Sequence, residues 1–116
     1  MNNQEGEKLP VVHCTKDTPG WEICDELKPY VQTIADKPTF GCVDLPGILT
    51  TNGKDVSRIE LCGLCTDICV ISNAMIVKAA FPEAQVKVDS SCCAGVTMES
   101  HQTALDAMKA VQIEIL

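Results

Sequence analysis

The sequence predicts an α/β domain built on a parallel sheet, and three observations carry that expectation. From residue 58 to the end, short apolar runs of strand character alternate with helix-length segments. The connecting segments are long enough to cross a sheet face, which forces successive strands to run parallel. Hydrophobic residues make up 46% of the chain against 22% charged, a composition that supplies a core. At 116 residues there is room for one domain at most, and little room for an open sheet with helices on both faces.

Taken in order, "PVVHC" reads as the end of a short strand, and "TKDTPGWE" as a loop punctuated by Pro and Gly. "EICDELKPY" predicts a short helix limited by Pro29, and "VQTIADKP" a strand running into a charged loop. "DLPGILTTNG" predicts a broken helical turn closed by Asn52-Gly53. "RIELCGL" is the clearest strand, and "AQVKVDSS" is the next. Between them "TDICVISNAMIVKAAF" is apolar almost all round, which predicts a buried helix. A last helix over residues 98 to 110 leads into "VQIEIL", a final strand. In a β-α-β-α-β order, chemistry gathers where strands deliver the chain into helix amino termini, and residues 64 to 69 occupy such a position.

The formal net charge is −7, with only 9 Lys and Arg and no cluster among them, so nucleic acid is not an expected partner. "MNNQEGEKLP" has neither the basic flank nor the apolar core of a signal peptide, and no apolar run reaches bilayer length. A cytoplasmic protein with no membrane partner is expected. Its eight cysteines then read as buried thiols, metal ligands or catalytic groups rather than disulfides, most of them small core residues.

Three cysteines, Cys62, Cys65 and Cys69, are spaced C-x2-C-x3-C. A structural zinc site wants about four ligands, and the histidines are His13 and His101 alone. A redox pair would need both members at a helix start, where Cys62 falls too early. A single nucleophile at Cys69 is the third reading: with Thr66 or Asp67 as helix cap, unpaired N–H groups of the first turn favour a thiolate and could hold an oxyanion. Simple packing of Cys69 is the fourth.

"LPVVHCTKDTPGWEICDEL", "ADKPTF" and "LCGLCTDICVISNA" resemble, in this order, three motifs of the isochorismatase-like cysteine hydrolases, and most of all of the nicotinamidases. These are a His-Cys-x3-Thr-x-Gly segment, a loop with a catalytic lysine, and a Gly-x-x-Thr-Asp-x-Cys-Val signature; the likeness runs from about Leu9 onward. The resemblance implies a Rossmann-like three-layer α/β/α fold. It implies Cys69 as nucleophile, Lys37 as the ammonium beside it, a cis peptide at Leu64-Cys65, and an oxyanion hole from the N–H groups of Cys65 and Cys69. It also implies a divalent metal (zinc, iron or manganese) that holds a pyridine nitrogen, with His13 matching one ligand; read alone, His13 is equally a hydrogen-bonded histidine at a strand end. Asp17, Thr18 and Trp21 read as loop architecture, His101 as a surface residue, and Cys92 and Cys93 as packing at the sheet end.

The aspartate base of that family, on its first strand, and an Asp-x-His metal pair have no counterpart in the sequence. Asp36, Asp44 and Asp67 are no evident substitutes. Residues 1–116 are therefore expected to be a partial, N-terminally truncated domain lacking the first two βα units, and inactive alone. The expected activity of the intact protein is hydrolysis of a small amide, nicotinamide to nicotinate and ammonia, through a cysteine thioester, in a possible homo-oligomer. Alternatives are an isochorismatase-type or carbamoyl/ureido hydrolase, or an inactive interaction module.

Overall fold

In the computed structural model, which describes residues 3–50 and 55–116, the chain divides between Thr39 and Phe40 into two units. The amino-terminal unit has little regular structure. Asn3 caps helix α1 (Gln4–Glu7) by accepting the Gly6 N–H at 3.0 Å, and its Nδ2 donates to the Pro38 carbonyl at 2.7 Å. Two 3₁₀ turns, Pro19–Trp21 and Lys28–Tyr30, follow, each with a proline in its first positions, where the missing N–H is not needed. Lys28 pairs with Asp25 at 2.7 Å.

The strands expected at "PVVHC" and "VQTIADKP" and the helix expected at "EICDELKPY" do not form. None of the described residues of this unit is buried. A strand without a hydrogen-bonded neighbour, or a helix of two turns without a packed face, lacks what would stabilise it.

The second unit carries helix α2 (Leu45–Thr50), strand β1 (Arg58–Leu64), helix α3 (Ile71–Ala80), strand β2 (Gln85–Ala94), helix α4 (Met98–Ala110) and strand β3 (Glu114–Ile115). Asn52-Gly53 lies outside the described residues. The sheet order is β1-β2-β3, all parallel, as the crossover lengths required. Ile59 and Leu61 stand opposite Val86 and Val88; the register then shifts, so that Gly63 faces Cys93. Inward residues of β1 alternate with exposed Arg58, Glu60, Cys62 and Leu64.

One core holds Val70, Ala74 and Val77 against Val86, Val88, Ala104, Leu105, Met108 and Ile113. α3 is less buried than its composition predicts: Ala74 and Val77 are enclosed, while Ile71, Met75 and Ile76 are half-buried. β3 is short but well held, with the Leu116 N–H donating to Val88 at 2.9 Å and Lys87 paired with Glu114 at 3.1 Å. Among the described residues no helix is long and apolar enough to cross a membrane.

Candidate active site

β1 delivers the chain into the candidate site through two unusual linkages. Gly63 takes φ +120°, a conformation that side chains disfavour, and the Leu64-Cys65 peptide is cis. One π-helical turn, Thr66–Val70, follows and runs directly into α3. Cys65 occupies the cap position with no side-chain capping bond, and its carbonyl accepts the N–H groups of Ile68 at 3.1 Å and Val70 at 3.0 Å. Cys65 and Cys69 thus share one turn at the carboxyl end of a parallel strand, where such sheets carry their chemistry.

Neither Thr66 nor Asp67 caps this turn, contrary to expectation. Thr66 is fully buried, and its hydroxyl bonds the His101 Nδ1 at 2.7 Å. His101 is therefore not a surface residue: it is half-buried in the first turns of α4 and ties that helix to the π turn. Gly95 makes the approach possible, since a Cβ there would stand 2.9 Å from the His101 main chain. Spacing gave no signal for this contact, because the partners are 35 residues apart.

Asp67 accepts the Val96 N–H at 3.2 Å. Burial, the largest influence on its carboxyl, pushes the pKa up; hydrogen bonds from Ser100 and from the N–H groups of Asp67 and Val96, with His101 nearby, outweigh it and hold the group below the usual carboxylate range. Burial pushes the Cys65 thiol up, and the charges of Asp67 and Cys69 add to this, so Cys65 stays protonated near neutral pH. Burial pushes the Cys93 thiol up as well.

Of the eight cysteines only Cys42 is buried, so the expectation that most are core residues fails. Cys14 and Cys24 belong to the unit without buried residues, Cys62 lies on the exposed face of β1, and Cys92 is exposed at the irregular end of β2. Cys65, Cys69 and Cys93 are half-buried. His13 and Lys37 lie in the amino-terminal unit, both exposed; the Lys37 Nζ donates to the Thr39 carbonyl at 3.2 Å.

The isochorismatase domain matches residues 1–116. The chain belongs to the isochorismatase domain family. Its fold is similar to that of the pyrazinamidase of Pyrococcus horikoshii in complex with zinc, at 28% identity and TM-score 0.70 over 90% of this chain and 61% of that one. It is similar also to the nicotinamidase/pyrazinamidase of Bacillus subtilis, at 23% identity and TM-score 0.77 over 97% of this chain and 65% of that one. An isochorismatase-like hydrolase of Alkaliphilus metalliredigens aligns at 24% identity and TM-score 0.73, over 98% and 62%. This isochorismatase-domain chain thus spans less than two thirds of the length of these solved structures.

A divalent ion needs several donors around it. Among the described residues, no group of three or more His, Cys, Asp or Glu is arranged to hold one.

Proposed function

We propose that the intact protein hydrolyses a small amide, nicotinamide to nicotinate and ammonia, with Cys69 as nucleophile. The observation that carries this reading is the position of Cys69 in the turn that leaves the carboxyl end of β1.

On this reading the Cys69 thiolate attacks the amide carbonyl carbon, and the N–H groups of Cys65 and Cys69 stabilise the negative charge that gathers on oxygen. Collapse breaks the carbon–nitrogen bond, ammonia leaves with the proton given up by the thiol, and a thioester remains. Water then adds to the thioester carbonyl, releasing the acid and restoring the thiol. Lys37 is assigned to support the thiolate. No base is assigned within these residues: the Asp67 carboxylate is engaged by Val96 and Ser100. In this proposal the base, any metal ligands beyond His13 and the two further βα units come from outside residues 1–116, and the coverage of the solved structures supports this.

Replacing Cys69 with Ala in the intact protein is expected to abolish ammonia release from nicotinamide, measured in a coupled ammonia assay; retained turnover excludes the mechanism. A panel of nicotinamide, a ureido compound and isochorismate under the same conditions separates the amidase reading from other hydrolytic chemistry of the family.

A further inference from the structure

The side chain of Asn73 is committed to main-chain groups around the Cys69 turn. Its Nδ2 donates to the Cys69 carbonyl at 2.9 Å and to the Phe40 carbonyl at 3.1 Å, while its Oδ1 accepts the Cys42 N–H at 2.8 Å. Main-chain N–H groups only donate and carbonyls only accept, so these three partners fix the amide in one orientation. Between the two ends of this grip lies Gly41, where a Cβ would stand 2.8 Å from Ile76 Cδ1 and 3.5 Å from Ser72 Cβ. Residues 40–42 thus lie close against α3, and a side chain at position 41 would require the end of Ile76 to shift. Cys42, the next residue, is buried.

The same contacts answer a local need of the turn. A π-helical turn shifts carbonyls away from the regular α-helical bonding pattern. At the junction with α3, side chains reach back four residues: Ser72 Oγ donates to the Ile68 carbonyl at 2.6 Å, and Asn73 does the same for Cys69. Ser72 makes a local bond, whereas Asn73 joins the turn to a segment more than 30 residues upstream.

We infer that Asn73 is a positioning residue for Cys69, holding the main chain of that cysteine and the segment Phe40–Cys42 in one grip and thereby fixing how the Sγ is presented. The kinetic consequence rests on the nucleophile assigned under the proposed function; the consequence for thiol reactivity does not.

The test uses Asn73→Ala and the isosteric Asn73→Asp, which keeps an acceptor for the Cys42 N–H but cannot donate to either carbonyl. In the intact protein each is expected to lower kcat on nicotinamide by roughly 10- to 100-fold with KM changed less than about threefold, because small misplacements of a reacting atom act on the chemical step. Alkylation of Cys69 by iodoacetamide, read by mass spectrometry against exposed Cys62 in the same tryptic peptide, is expected to slow by at least roughly threefold. A purely structural role would lower Tm and leave kcat per folded molecule and the alkylation ratio unchanged. Values of both within about twofold of wild type overturn the inference. If the wild type does not turn over nicotinamide, the functional reading fails and the alkylation ratio still decides the role of Asn73. If neither variant folds, amide exchange in the wild type decides: a protected Cys42 N–H is expected, and exchange as fast as in an open loop contradicts the grip.

Discussion

At the scale of single residues, Cys65 and Cys69 take different places in the turn after β1. Cys65 stands at the cap position and its carbonyl accepts the Ile68 and Val70 N–H groups, whereas Cys69 lies within the turn itself. The signature around Cys69 was legible because its residue types are specific, whereas the role of His101 was not, since it arises from a contact across 35 residues. That contact makes a prediction. Thr66→Val keeps the volume but leaves a half-buried imidazole nitrogen without its partner, and is expected to cost about 1 to 3 kcal/mol in chemical denaturation; a loss near zero would show that the bond contributes nothing. Asp67 makes a second. Its folded pKa lies below the unfolded value near 3.9, so its contribution to stability is present above that value and is lost as pH falls through the folded pKa. The Tm difference between wild type and Asp67→Asn is therefore expected to be constant above about pH 5 and to shrink below about pH 4; a difference that grows on acidification would contradict the sign.

At the scale of elements, the β-α-β-α-β order after residue 58 was legible because alternating "RIELCGL" and the apolar crossovers carry their own periodicity, and β1 and α4 have the expected bounds. β2 extends to Ala94, further than its sequence suggests, because the register shift lets the irregular stretch after Val88 rejoin β1 at Gly63. The π turn could not be read from pattern, since its residues fit an α-helical period as well. At the start of α4, Thr97 and Ser100 form a reciprocal capping box, with the Thr97 Oγ1 accepting the Ser100 N–H at 3.0 Å. Thr97→Ala is expected to lower stability by about 1 kcal/mol, checked by urea denaturation. The loss should be smaller in Thr97→Ser, which keeps the acceptor; equal losses would mean that the hydroxyl is not the source.

At the scale of the whole molecule, the second unit has a core and the first has no buried residue among those described. Sequence periodicity failed in the first unit for this reason: apolar residues such as Val11, Val12, Tyr30 and Ile34 suggested elements, yet they remain exposed. Membership of the isochorismatase domain family was legible in three ordered motifs, while the substrate is not decided by a fold shared among hydrolases. Under the proposed function, purified residues 1–116 alone are expected to release no ammonia from nicotinamide, and turnover by that chain would show that the base lies within it. The most direct test of the account is trapping of the acyl-enzyme: the intact protein is mixed with nicotinamide, acid-quenched within one turnover, digested and analysed by mass spectrometry. A nicotinoyl adduct on Cys69, absent in Cys69→Ala, is the predicted result; turnover without an adduct on Cys69, or with the adduct on another residue, would contradict it.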